Sequence, residues 1–351
     1  MRGENPLKTR ITELLGIRYP VLLSGMSWIS LPRIVAAVSN SGGMGILATG
    51  PLDPDQTRAY IREVRKLTNK PFGVNVSLIL PGGNQNAVAV LEEKVPVVNF
   101  ALGKGDWLVQ EVHGYSGKVL ATVTNARHAL SAQNYGVDAV IATGNEAAGH
   151  GEAVTTFVLI PSLVDVLSIP VIAAGGIADG RGLAAALALG AEGIAMGTRF
   201  MTTKESALHE NVKRLSLEKT VYDTLYSRRF DGLWCRVMDT ESARKALRQG
   251  LDLPAAFFNA RAIAVQMRLP FWKLFIGVLA SGWKTAKQLA YFANAFKSLR
   301  IATEDGDMKT GVIPVGQATG LIHDEPSVDE LMARIVAEAH AAQGSLMRSL
   351  E

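Results

Sequence analysis

Two short apolar runs that break off into glycine constrain this chain more than anything else in it. Val171-Ile-Ala-Ala runs into Gly175-Gly176-Ile177, and Gly193-Ile-Ala-Met runs into Gly197-Thr198-Arg199. A run this short with no polar alternation reads as a parallel strand buried on both faces, its carboxyl end opening into a tight loop. Between the two, Asp179-Gly-Arg-Gly-Leu-Ala-Ala-Ala-Leu-Ala-Leu-Gly has the polar start and glycine stop of a helix. Two consecutive strand ends therefore offer bare backbone amides, at Gly175 and Gly176 and at Gly197 and Thr198. Glycine admits an anion to the main chain, and a following helix start favours negative charge. In a (β/α)8 barrel the seventh and eighth loops commonly build such a phosphate site.

Counting backwards tests that placement. Apolar runs lie at 21–23, 45–47, 72–78, 95–100, 119–123, 139–142, 171–174 and 193–196, eight in all. Helical patterns fall between them at 31–39, 53–68, 126–135, 156–167 and 181–189, while 103–117 holds only a short helix candidate. Regular alternation of short strands and helices predicts one parallel (β/α)8 TIM barrel. An open doubly wound sheet is the competing architecture.

The 351 residues suffice for a barrel and an appended piece, and a hydrophobic content of 48% is ample for a large core. A net charge of +4 is modest at this length and gives no reason to expect nucleic acid. The single cysteine, Cys235, excludes an internal disulfide and is expected to be buried or incidental. The opening Met1-Arg-Gly-Glu-Asn-Pro lacks the apolar stretch of a signal peptide, and no run reaches the roughly 18 apolar residues of a membrane span. A cytoplasmic enzyme with no integral membrane segment is expected.

Charge is unevenly distributed. Between 253 and 303 there is no Asp or Glu, whereas Arg261, Arg268, Lys273, Lys284, Lys287, Lys297 and Arg300 are interleaved with nine aromatic residues from Phe257 to Phe296. The periodicity there is helical, broken at Pro270 and Gly282. Residues 205–312 therefore read as a mainly helical insertion near the C-terminus, serving as a substrate lid or a dimer surface. The barrel comprises 7–204 and 313–351. Its last helix, 327–342, opens on a capping box of Ser327 with Glu330.

Several strand ends suit a planar cofactor. Gly25 allows close approach beside the soft side chain of Met26. Asn75 is a polar residue within an apolar strand and must find hydrogen-bond partners; its amide suits a flavin ring edge, and a buried structural asparagine is the alternative. Gly42-Gly43-Met44-Gly45 precedes a strand instead of following one and reads as a turn. The sixth strand leads into Gly144-Asn145-Glu146-Ala147-Ala148-Gly149-His150-Gly151. A lone histidine is usually structural, but one at a barrel strand end sits where catalytic groups collect, and imidazole exchanges protons near neutrality. The other histidines, at 113, 128, 209, 323 and 340, attract no special reading. No metal-ligand spacing, Walker loop or nucleophile elbow is present.

These residues resemble the nitronate monooxygenase (2-nitropropane dioxygenase) family and the related FMN-dependent enoyl-acyl-carrier-protein reductases. The matching pieces are Lys8-Thr-Arg-Ile-Thr-Glu-Leu-Leu, Gly25-Met26 with Trp28, Ala37-Val-Ser-Asn-Ser-Gly-Gly-Met-Gly, Pro71-Phe-Gly-Val-Asn, Gly136-Val-Asp-Ala-Val, Glu146 through His150, Ile169-Pro-Val-Ile-Ala-Ala-Gly-Gly-Ile-Ala-Asp-Gly, Met196-Gly-Thr-Arg-Phe and Gly316-Gln317. The resemblance covers roughly 7–205 and resumes near 311–345. It implies bound FMN, with Gly25, Met26 and Asn75 at the ring and Gly175, Gly176, Gly197 and Thr198 at the phosphate. Glu146, Gly149 and Gln317 complete the cofactor site, and His150 matches the family's histidine. Two departures stand out: Leu23 where the family commonly has glutamine, its contact missing or supplied by Ser24 or Gln317, and Thr122 where many members carry lysine or another polar group.

What the resemblance implies chemically divides in two. One expectation is oxidation of a nitronate or similar small carbon acid, with electrons passed through FMN to oxygen. The alternative is an NAD(P)H-dependent reductase of an enoyl or acyl thioester, of acyl-carrier protein or coenzyme A. The basic, aromatic insertion favours the alternative, faintly resembling flavin reductases that act on coenzyme A thioesters in steroid-ring catabolism. No Rossmann unit is present, so NAD(P)H would be a transient electron donor. A homodimer is a further expectation, and 257–296 also reads as a surface that meets a membrane or a partner.

Overall fold

The structure, a computed structural model, describes residues 7–280 and 282–351. Eight parallel strands, β1 (Val21–Leu23), β2 (Met44–Ala48), β3 (Gly73–Ser77), β4 (Val97–Ala101), β5 (Lys118–Val123), β6 (Ala139–Thr143), β7 (Val171–Ala174) and β8 (Gly193–Met196), close in sequence order, with Leu22 opposite Ala195 at the seam. The (β/α)8 barrel read from the sequence is the observed fold.

The side-chain period of two divides each strand between two cores. Leu22, Ile46, Val97, Leu120, Ile141, Ile172 and Ala195 fill the barrel interior together with Ile11 and Leu15 of α1 (Arg10–Leu15), which plugs the amino-terminal end. Their neighbours Val21, Leu47, Val74, Val98, Val119, Val140 and Ile194 turn outward to the surrounding helices. Those helices are α2 (Pro32–Asn40), α3 (Pro54–Leu67), α4 (Gly83–Glu92), α5 (Asp106–His113), α6 (Ala126–Tyr135), α7 (Thr156–Val164) and α8 (Gly180–Ala188).

Local chemistry sets their ends. Asp53 accepts from the Gln56 amide in a capping box with Pro54 at the first turn, Asn125 caps α6, and the Asp179 carboxylate accepts from the amides of Arg181 and Gly182. A Cβ at Gly45 would lie 2.1 Å from the Val35 carbonyl oxygen, so α2 packs directly on the backbone of β2. Helix α4, which the sequence reading did not single out, begins in Gly82-Gly83-Asn84, a turn signature. Tertiary bonds hold it, since the buried Asn86 amide donates to the carbonyls of Thr49 and Leu52.

After β8 come α9 (Thr198–Met201) and α10 (Glu210–Leu217), then an antiparallel hairpin of β9 (Thr224–Ser227) and β10 (Cys235–Met238). Next are α11 (Glu241–Gln249), α12 (Leu253–Gln266), α13 (Phe271–Ala280) and α14 (Trp283–Arg300). These C-terminal helices are joined by the hairpin, and Val237 bridges to Pro314 and ties it to the returning chain. The closing helix α15 (Val328–Leu350) carries the expected capping box but runs past 342 and straight through Gly344. No helix among the described residues is long and apolar enough to cross a membrane.

Candidate active site

The inward parity that fills the barrel delivers a different layer one step further along each strand. Ser24, Asn75, Asn99, Thr122 and Thr143 occupy it and line a cavity of 740 Å³ at the carboxyl mouth. The apolar interior thus gives way to a polar floor. Asn99 and Thr122 hydrogen-bond each other at 3.2 Å, so Thr122 serves its neighbour on β4. The Asn75 side-chain amide has no protein partner among the described residues, and its Cβ lies 2.6 Å from where a side chain on Gly25 would begin. Leu23 packs outward into the helix-facing core, whereas Ser24 lines the cavity.

Gly25, Met26, Asn75, Glu146, Gly149, His150, Gly175, Gly176, Gly197 and Thr198 all line this one cavity. Gln317 does not, although Gly316 and Ala318 on either side of it do; its amide instead donates to the Glu146 carbonyl at 2.9 Å. Gly175 and Gly176 have φ of 103° and 75°, conformations that turn the chain sharply after β7. The amides of Gly175, Gly176, Gly197 and Thr198 meet no acceptor among the described residues. Glu146 braces this wall from beneath: its carboxylate accepts from the Thr156 amide at 2.8 Å and hydroxyl at 3.0 Å, and that hydroxyl also reaches the Gly175 carbonyl. The Thr198 hydroxyl accepts from the Gly316 amide at 3.0 Å, joining loop eight to the returning chain.

The loop after β6 brings His150 to the same cavity, at φ 45°, a left-handed conformation that costs a non-glycine residue about 1 kcal/mol or more and gathers at functional sites. Its Nε2 lies 2.7 Å from Oδ2 of Asp231, whose other oxygen accepts from the Leu233 amide at 3.0 Å. Burial opposes a charge on His150, but the charge and hydrogen bond of Asp231 outweigh it, holding the imidazole above its ordinary pKa. Burial likewise pushes Asp231 up, and His150 together with the Leu233 amide brings it below the usual carboxylate value. Cys235, beside Asp231, is buried and its thiol is pushed far up, so it stays protonated and is no nucleophile.

Asp231 was not found from the sequence, because its hairpin was read as part of a helical insertion. A signal was there: Asp231-Gly232, with Gly232 at φ 90°, is a turn dipeptide between the two segments that pair as strands. The same hairpin carries a row of rings and cations. The Arg236 guanidinium sits 5.1 Å over Tyr226, Tyr226 stacks on Trp234 at 4.8 Å, and the Arg228 guanidinium lies 5.9 Å from the Trp234 ring. Arg236 is buried and anchored on Asn145, whereas Trp234 and Arg228 are exposed at the cavity rim.

The family model for nitronate monooxygenase matches residues 8–90 and 83–338. The chain belongs to this family. As a member of the nitronate monooxygenase family it is an oxidoreductase, and its relatives divide. It is 38% identical over 338 residues to the (3aS,4S,5R,7aS)-5-hydroxy-7a-methyl-1-oxo-octahydro-1H-indene-4-carboxyl-CoA dehydrogenase of Rhodococcus jostii, covering 95% of this chain and 96% of that one. It is 33% identical over 293 residues to a probable nitronate monooxygenase of Staphylococcus aureus, covering 70% of this chain and 82% of that one. Among solved structures, FabK of Thermotoga maritima superposes with a TM-score of 0.81 at 36% identity, covering 97% of this chain and 99% of that one.

Proposed function

We propose that this family member is an FMN-dependent oxidoreductase of a bulky acyl-coenzyme A thioester, with His150 exchanging the proton on the carbon beside the thioester carbonyl. The observation that carries the reading is the His150–Asp231 pair sharing one cavity with a set of unpaired backbone amides.

The residues present fit FMN. A Cβ at Gly197 would approach the Met26 sulfur at 3.2 Å and one at Gly175 would approach the Thr156 hydroxyl at 3.0 Å, so the cradle is kept open by missing side chains. Its amides suit the dianionic phosphate, and the unpartnered Asn75 amide suits the ring edge. When bound, FMN supplies two-electron redox chemistry. The protein supplies position and proton control. With Nε2–H shared with Asp231, Nδ1 is the atom that takes or returns the substrate proton. Asp231 fixes the ring and stabilises the imidazolium that results. Segment 205–312 serves as the lid, since Phe292, Phe296 and Leu299 of α14 line the cavity's apolar side.

Coenzyme A is favoured over a small nitronate by the rim and by the relatives. Arg228 has no carboxylate partner among the described residues and stands beside the exposed Trp234, offering a cation for a phosphate and a ring face for a purine. The match to the coenzyme A-linked dehydrogenase also runs through the insertion, as its 95% coverage requires. Anaerobic mixing is the test. Bleaching of the flavin by bicyclic acyl-coenzyme A thioesters, or reoxidation of NAD(P)H-reduced flavin by their unsaturated forms, is the expected result. Bleaching by nitronates alone, with oxygen consumption once air is admitted, would sink it in favour of nitronate oxidation.

Two variants follow from the rim and the pair. Trp234→Ala with Arg228→Gln is expected to raise KM for the coenzyme A thioester about tenfold and leave that for the matching pantetheine thioester unchanged. Asp231→Asn removes the charge that raises His150 and leaves the burial that lowers it. The acid limb of kcat/KM, above the ordinary histidine value in the native enzyme, should move to lower pH. In stability the sign is fixed by linkage. The contribution of His150 is complete below pH ~6.5 and fades as pH rises through its higher folded pKa; that of Asp231 is lost as pH falls through its depressed one. The Tm gap between native protein and Asp231→Asn is therefore widest in mild acid and narrows in base.

A further inference from the structure

The far side of the insertion, away from the cavity, leaves a large apolar surface uncovered. Helix α13 packs its inner side against α12 through Phe257, whose ring meets Phe271 and Phe275 at 5.4 Å each. Its outer side repeats at i, i+4 and i+7: Trp272, Ile276 and Leu279 are 66%, 65% and 61% exposed. Trp283, which opens α14, is 70% exposed, and Phe258 on α12 is 66% exposed. Folded monomers rarely leave such residues together in water without using them. None of these side chains lines the cavity.

Charge identifies the occupant. Lys273, Lys284 and Lys287 are exposed beside these residues, and no Asp or Glu occurs between 253 and 303. A second copy docked through the same patch would set these lysines against their own equivalents, which disfavours a symmetric dimer here. An anionic bilayer meets every term at once. Tryptophan rings settle at the headgroup level, short aliphatic residues enter the acyl boundary, and lysines pair with lipid phosphates. At 10 residues, α13 is about 15 Å long, enough to lie in the interface and too short to cross it.

We propose that α13 and the start of α14 form a peripheral docking surface for anionic membranes, with Trp272, Ile276, Leu279 and Trp283 inserting and Lys273, Lys284 and Lys287 supplying the attraction. Helix α14 joins this surface to the cavity, since Phe292 and Phe296 further along it line the apolar wall. An apolar thioester held in the bilayer surface would thus reach the enzyme beside its own lid.

Co-sedimentation of the full-length holoenzyme with vesicles tests this without reference to the reaction. Vesicles of phosphatidylcholine with phosphatidylglycerol are expected to bind it at low salt and release it as salt rises, while phosphatidylcholine alone retains little. The triple variant Lys273→Gln, Lys284→Gln, Lys287→Gln should lower partitioning about a hundredfold. The pair Trp272→Ala, Trp283→Ala should lower it in all lipids, with flavin content and activity on dissolved substrate unchanged because these groups are outside the site. No binding to anionic vesicles at low salt would overturn the proposal, as would equal binding to neutral ones. So would a concentration-dependent dimer dispersed by the tryptophan pair, which would assign the face to a second copy.

Discussion

Exchanging His150 for asparagine is expected to leave FMN bound and to lower kcat by about two to four orders of magnitude. Asparagine is the informative replacement. It tolerates the left-handed conformation at φ 45°, it can still donate to the Asp231 carboxylate, and it cannot titrate. Alanine should cost as much activity and more stability, because it strands Asp231, whose side chain is only 11% exposed, with the Leu233 amide and the Cys235 thiol as its remaining donors. Two readouts separate chemistry from folding. Flavin absorbance should be native-like in both variants, and the acid limb of the pH profile should vanish along with the rate. Adding Asp231→Asn to His150→Asn should cost little more, since the carboxylate acts through the ring it holds. Native turnover by His150→Asn would remove the imidazole from the mechanism.

The sequence was most legible where backbone geometry depends on single residues. A buried parallel strand needs only a few consecutive apolar positions, and a strand end that must approach an anion needs glycine. β1, β7 and β8 therefore fell where the runs predicted, and Gly175, Gly176 and Gly197 proved to share one mouth with Gly25. Neighbours in the barrel converge by construction, so order along the chain served as a map of the site. It failed where position depends on long-range packing. Asp231 lies 81 residues from His150 and reaches it only because the hairpin folds back over loop six, where the Arg236 amide donates to the Ala148 carbonyl. The turn dipeptide at 231–232 could have shown the hairpin, but nothing local says which loop it covers. Gln317 shows the converse limit: the motif placed the residue next to the cavity, and the backbone used its amide instead of its side chain.

Gly176→Val is the second substitution with a large expected effect, a loss of FMN affinity of about a hundredfold or more with the barrel intact. The space at Gly176 is ordinary, since a Cβ would meet Glu146 at 3.5 Å. The conformation is not. A φ of 75° is available to glycine and an outlier for a β-branched residue, so valine must pull the loop out of its turn. Moving that loop withdraws two of the four unpaired amides, and each bond from an amide to a charged phosphate contributes about 1.5–3 kcal/mol. Gly136→Val supplies the control. Gly136 ends α6 at φ 88°, and a Cβ there would find only the Val109 side chain, at 3.7 Å, an ordinary contact with a residue that does not line the cavity. Both variants place valine at positive φ and should lose a similar small amount of Tm, about 1–2 °C per kcal/mol for 351 residues. Only Gly176→Val should purify colourless. If both retain flavin equally, the phosphate is held elsewhere than at the mouth of β7, and the cofactor assignment of Gly175 and Gly176 falls with it.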